Sequence, residues 1–212
     1  ILKEFGIPAT VFLETRVLEE RRVNWTHHLH WLFDAIGQDE VVKRFIALEG
    51  EEAEDSQAVR KASELGARVY YHVKRVLKYD VNPKSRDEKL ARLFAEAGGM
   101  ERDLADKLYM TWEQVQELSN AGVEIGAHTR THAILSTVSA EENLYEIDGS
   151  ARAIEERLGH APEVFAYPFG RSWDYGEDAK VAVSAAGCRY AVITHSGWNT
   201  AETNPLELRR VP

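Results

Sequence analysis

The sequence predicts an α/β fold in which parallel strands are joined by crossover helices. Three observations carry that expectation. Between residues 111 and 194, apolar runs of strand length alternate with longer stretches of helical periodicity. The helical stretches carry their own punctuation, opening on capping boxes and closing on glycines. The residues able to do chemistry stand where the strand runs end: His128 and His132, then Tyr167-Pro168-Phe169-Gly170, then His195-Ser196-Gly197-Trp198-Asn199. In a parallel α/β fold such ends share one face, where ligands bind.

Composition sets the outer limits. The 212 residues suffice for one domain with a substantial core, and 44% hydrophobic against 29% charged residues marks a globular sequence. A formal net charge of −9 argues against nucleic acid or an anionic membrane as partner. The lone cysteine, Cys188, excludes an internal disulfide. No apolar run is long enough to span a bilayer.

Taken in order, Ile1-Leu2-Lys3-Glu4-Phe5-Gly6 reads as the last turn of a helix closed by a glycine, its beginning lying upstream. Residues 8–13 form an apolar strand. Residues 14–110 are rich in charge and helix formers, with helical spacing over 25–36, 55–76 and 85–97. The acidic run 49–55 reads as a solvated turn and helix start, and Gly98-Gly99 ends the third helix. This region is expected as a helical insertion within one domain spanning 1–212, either a lid on the main fold or a layer of its core. Thr111-Trp112-Glu113-Gln114 then opens a helix ending near Gly122, and residues 123–127 form a strand. Ser139-Ala140-Glu141-Glu142 opens the next helix, which stops at Gly159. A strand at 163–167, a helix at 178–186 closed by Gly187, and a strand at 189–194 complete the alternation. Arg209 and Arg210 fall in a last strand.

If the chain turns helical after Ala127, His128 and His132 lie on one side of a single turn. Two imidazoles so placed can hold one divalent ion, zinc foremost, with nickel and cobalt also suited. The competing reading is a pair of surface or packing histidines, since this spacing arises by chance. Gly126 just before them marks a place where another group passes close to the backbone. Thr129 or Thr131 either orients a histidine or caps the following turn. His27, His28 and His30 do not share a helix face, and they read as the outer side of a helix whose Trp31 and Leu32 turn inward. Trp173, Tyr175 and Trp198 offer flat faces for sugar rings, or serve as core and rim aromatics.

These segments, in this order, resemble the NodB-type polysaccharide deacetylases, the family-four carbohydrate esterases. The resemblance rests on Ile7-Pro8-Ala9-Thr10-Val11-Phe12-Leu13, on the run from Gly122 through His128-Thr129-Arg130-Thr131-His132, on Phe165-Ala166-Tyr167-Pro168-Phe169-Gly170, and on the passage from Ala185 to Val192. It covers residues 1–13 and about 111–212. It implies a distorted (β/α) barrel with fewer than eight strands. It implies a metal-dependent hydrolase that removes acetyl groups from N- or O-acetylated carbohydrate, with an acetylated glycan or oligosaccharide as partner. The divalent metal, zinc foremost, would be held by an Asp and two His, here His128 and His132. The backbone beside Tyr167 would help bind the oxyanion, with Pro168, Phe169 and Gly170 shaping the sugar groove and Trp173 and Trp198 as further substrate contacts. His195 is the candidate for the family's late acid. A bacterial cell-envelope or secreted setting follows from the resemblance alone. The implied chemistry is physically sound, because a Lewis acid on the acetamide oxygen stabilises the tetrahedral oxyanion of a poor electrophile.

The sequence departs from the family pattern in three places. The Thr-Phe-Asp-Asp segment, carrying the base and the metal's Asp, is expected upstream of Ile1, and no two adjacent aspartates occur in the 212 residues. Ala166 stands where the family often has an Arg that holds the base. The late Leu-x-His motif is absent, and His195 lies in a different local context. Two alternatives to the deacetylase therefore stand: a non-catalytic glycan-binding relative, and a hydrolase of a non-sugar amide on the same fold.

Overall fold

The computed structural model describes residues 4–50, 52–66 and 68–211. In chain order the elements are β1 (Thr10–Leu13), α1 (Thr15–Glu20), α2 (Trp25–Ile36), α3 (Gln38–Glu49), α4 (Glu54–Ser63), α5 (Val69–Tyr79), α6 (Pro83–Glu96), α7 (Glu101–Leu108), α8 (Trp112–Asn120), β2 (Glu124–Ala127), α9 (Ala140–Leu158), β3 (Val164–Ala166), α10 (Glu177–Ala185), β4 (Tyr190–Ser196) and β5 (Leu208–Arg210). Short 3₁₀ turns lie at Leu135–Thr137 and Pro205–Glu207. The chain divides into two compact units, one of residues 1–21 with 108–212 and the other of residues 22–107. The helix end expected at the start lies partly outside the described residues; residues 4–6 form a turn with Gly6 in the left-handed region.

The first unit holds the sheet. Its five strands are all parallel and stand in the order β1-β2-β3-β4-β5. Parallel crossovers are right-handed, so steps that always go one way lay the connecting helices on one face. That is the plan of a (β/α) barrel; a doubly wound sheet reverses its order partway. The fold is accordingly α/β, with the sequential parallel sheet of the distorted-barrel type. Ile125, Ala127, Phe165 and Ala191 turn inward from the strands and meet Val115, Ile147, Ile154, Ala179 and Val183 from the helices. Each valine, isoleucine or phenylalanine side chain so buried contributes about 1.5–3 kcal/mol. Gly126 leaves room for its neighbours: a Cβ there would lie 2.6 Å from the Phe12 ring and 2.8 Å from Val164 Cγ2.

The sequence marks the ends of α8 and α9 clearly. Thr111 with Gln114 and Ser139 with Glu142 each form a complete capping box. Gly159 closes α9 in the left-handed conformation at φ 79. The other unit is helical and has its own apolar interior, with Trp25, Leu29 and Leu32 of α2, Phe45 of α3, Leu77 of α5, and Leu90, Leu93 and Phe94 of α6 buried. Here the structure adds α3 and α7, which the sequence reading did not expect, and differs from it in two further ways. The expected helix over 55–76 is broken into α4 and α5, because Gly66 and Arg68 both take left-handed backbone, at φ 77 and 79. His28 turns inward instead of outward; it is 4% exposed and bonds Glu101 Oε1 through Nε2 at 2.7 Å. A buried imidazole needs such a partner, and Glu101 of α7 also accepts the Val23 N–H at 2.7 Å. His30 is exposed as expected and bonds the Tyr70 hydroxyl.

Candidate functional site

β2 ends at Ala127, and the His128 N–H carries its pairing one step further onto Leu13 O at 2.9 Å. The chain does not then become helical. Thr129 and His132 take left-handed backbone, at φ 65 and 59, which no α-helix contains. A tight loop, not helical spacing, therefore brings the two histidines together. Their ring centroids lie 4.8 Å apart with the planes at 80°. Left-handed geometry at such residues costs of order 1–3 kcal/mol each and persists only where surrounding bonds hold it.

Those bonds can be counted. Thr129 Oγ1 accepts the His132 N–H at 2.9 Å, so this threonine caps the turn. The Thr129 and Arg130 carbonyls accept the Thr15 and Arg16 N–H groups at 3.2 and 2.9 Å. These are the first donors of α1, which otherwise lack partners at a helix start. The Arg130 N–H is shared between the Glu146 carbonyl at 3.1 Å and its Oε2 at 3.0 Å. Thr131 gives its N–H to Glu146 Oε2 and its hydroxyl to Oε1, both at 2.8 Å. Glu146 projects from α9 and is 6% exposed. Burial pushes its carboxyl above the usual glutamate range, and the bonds from Thr131 and Arg130 oppose that rise.

His128 keeps a partly exposed edge, while its Nδ1 lies 2.6 Å from Ala166 O. A carbonyl only accepts, so Nδ1 carries the proton and Nε2 presents a lone pair. Burial lowers the His128 pKa from 6.5, outweighing the Ala166 bond, and so favours the neutral form that a metal requires. Among the described residues no three His, Cys, Asp or Glu side chains form a group able to hold an ion. A catalytic zinc takes three protein ligands, of which this pair could supply two.

The second strand end lies beside the first. After β3 the chain turns through Phe169 and Gly170, at φ 61 and 62. The Phe169 ring stands edge-on to His132, at 4.8 Å and 83°. β4 pins this turn: Thr194 gives its hydroxyl to Phe169 O at 2.7 Å and its N–H to Gly170 O at 2.9 Å. A Cβ on Gly170 would fall 2.9 Å from Thr194 N, so sterics as well as the backbone conformation demand glycine. Tyr167 shares the inward face with Phe165, two residues before it, and is 2% exposed. Its ring stacks on Tyr175 at 4.1 Å, and the Tyr175 hydroxyl donates to Glu207 at 2.8 Å. Tyr167 and Pro168 are buried, so their side chains shape the turn from within, and the Phe169 ring meets the histidine pair.

The remaining candidates lie further out. His195 occupies the exposed end of β4, next to Thr194. Trp173 and Trp198 are 58% and 78% exposed. The Arg171 guanidinium lies over the Trp173 ring at 5.4 Å. Among the described residues, ring contacts join His128, His132 and Phe169, and neither His195 nor Trp198 enters them. Sequence reasoning missed Glu146. The available signal was a polar stripe, Asn143, Glu146 and Ser150, on the face of α9 that should be apolar.

Residues 1–191 match the sequence profile of the family described as Polysaccharide deacetylase. YxkH of Bacillus subtilis (strain 168), a protein named for the same family, is 24% identical over 110 residues, which make up 52% of this chain and 38% of that relative. The match therefore spans well under half of YxkH. Among solved structures, the Streptococcus pyogenes deacetylase PplD aligns with a TM-score of 0.47 and 18% identity over 74% of this chain and 78% of PplD. IcaB from Ammonifex degensii aligns with a TM-score of 0.44 and 20% identity over 49% of this chain and 47% of its own. With the family profile covering residues 1–191 of 212, the chain belongs to the polysaccharide deacetylase family.

Proposed function

We propose that this protein is a metal-dependent hydrolase that removes acetyl groups from N- or O-acetylated carbohydrate, with His128 and His132 holding the ion. The observation that carries this reading is the pairing of the two imidazoles at the strand end, with His128 Nδ1 fixed on Ala166 O. Two neutral nitrogen donors suit zinc, and cobalt or nickel as well. When bound, the ion would supply a Lewis acid to the acetyl carbonyl oxygen. The protein's own residues do the rest. The Ala166 carbonyl selects the tautomer of His128, and Phe169 limits the rotation of His132. His195, on the neighbouring strand end, is assigned the proton donor to the leaving group. The exposed rings of Trp173 and Trp198 are assigned the stacking of sugar units along the substrate.

The test is acetate release from an acetylated chitooligosaccharide and from an O-acetylated glycan, measured before and after chelation. Acetate release that falls to background with chelator, returns with zinc or cobalt, and is lost in His128→Ala and His132→Ala is the expected result. No acetate from either substrate under any of these metals rejects the reading.

A further inference from the structure

We infer that Glu146 is a positioning residue, whose carboxylate holds the 129–132 loop in the form that turns His128 and His132 toward one ion. The inference rests on reading that pair as a metal site. Its own support is geometric. One carboxylate accepts three bonds from two consecutive loop residues: the Arg130 N–H at 3.0 Å, and the Thr131 N–H and hydroxyl at 2.8 Å each. Those residues lie between the two left-handed positions, Thr129 and His132. The carbonyls of Thr129 and Arg130 are taken by the first amides of α1, so the loop is held from both sides.

The carboxyl group of Glu146 meets the loop with two oxygens at once. It presents two acceptor oxygens, and here Oε2 takes both amides while Oε1 takes the hydroxyl. A carboxamide has one acceptor oxygen, so glutamine can take both amides only by turning its NH2 to the Thr131 hydroxyl, which must then accept. It also replaces charge-assisted bonds with weaker neutral ones. Burying a carboxylate is unfavourable unless such bonds compensate, and apolar packing alone would be served by leucine. Glu146 therefore makes no sense as a core filler of α9, whose other inward neighbours Ile147, Ala151 and Ile154 do that work. It acts through the loop and touches neither the ion nor the substrate.

Two measurements on the intact protein test this, and neither reads catalysis. The first is amide hydrogen exchange by NMR on the metal-free protein. Glu146→Ala is expected to raise exchange at Arg130, Thr131 and His132 by about tenfold or more, with β2 and the far end of α9 keeping their protection. The second is cobalt affinity by competition with a chromophoric chelator. Glu146→Ala is expected to weaken it by about 10–100-fold, the range of groups that orient metal ligands, with Glu146→Gln between it and the parent. Ile147→Val, a core change one residue away, controls for lost stability and should leave cobalt affinity unchanged. Loop exchange unchanged in Glu146→Ala overturns the inference. So does an unchanged cobalt affinity when His128→Ala abolishes binding, and in that case the metal-site reading survives. Cobalt binding that is indifferent to His128→Ala and His132→Ala sinks the metal-site reading and the inference with it.

Discussion

At the scale of single residues, chemistry and conformation part company. Cys188 looks reactive by composition, as the only thiol, but it is buried and its Sγ lies 3.4 Å from Pro162 O. Burial pushes the thiol up to about 11, so the thiolate is scarce at neutral pH. Iodoacetamide at pH 7.5 should leave the native protein unmodified and label one site after denaturation; native labelling at the denatured rate would refute this. Gly170 makes the opposite point, since its role is conformational. Gly170→Ala meets Thr194 N and a left-handed backbone together, and should destabilise the protein by about 1–3 kcal/mol in urea unfolding. A change below a few tenths of a kcal/mol would show that the turn relaxes freely. The histidine pair was legible in the sequence as spacing, and its means of convergence was not. Thr129 is β-branched and His132, though a residue more tolerant of positive φ than most, is not glycine, so their identity alone does not announce a left-handed turn. The bonds that hold them there come from Glu146 and α1, distant in sequence.

At the scale of elements, legibility follows where the end groups of a helix find partners. α8 and α9 cap themselves within four residues, and their start positions could be read directly from Thr111-Gln114 and Ser139-Glu142. Ser139→Ala should cost about 1 kcal/mol by removing the acceptor for the Glu142 N–H, measured as a shift of the urea midpoint at constant slope. An unchanged midpoint would mean that water replaces the cap without loss. α1 and α3 escaped the sequence reading for the complementary reason. α1 has no side-chain cap at Glu14, and its first amides bond to the loop after β2. α3 begins directly at Gly37, which also closes α2, so one glycine ends one helix and starts the next. In α9 the polar stripe of Asn143, Glu146 and Ser150 was visible but lacked a meaning until its partners were placed: Leu135 O, the loop after β2, and Ile147 O.

At the scale of the whole molecule, the alternation of strand and helix was enough to specify parallel strands joined by crossover helices, but not their order. A doubly wound sheet alternates in the same way, and only the resemblance pointed to a barrel. The division between the two units was less legible, since helical periodicity does not say which core a helix faces. One measurement reads both units at once. His128 in the sheet unit and His27 in the helical unit each have pKa values lowered from 6.5, chiefly by burial. Well above pH 6.5 both are neutral whether the chain is folded or not. Below it the unfolded chain takes up protons that the folded chain refuses, so stability must fall as pH falls toward each folded-state value. The slope is at most about 1.4 kcal/mol per pH unit for the more enclosed His128, and smaller for the half-buried His27. Glu146 works in the other sense: its pKa is raised above 4.5, so its contribution is complete below 4.5 and is lost as pH rises through its folded value. The decline between pH 6.5 and 5 in the chelated protein should therefore flatten in His128→Asn and flatten less in His27→Asn. If both variants ran parallel to the parent over that range, the imidazoles would be open to protonation in the folded state, and His128 would lose its claim to be a neutral ligand held ready by the fold.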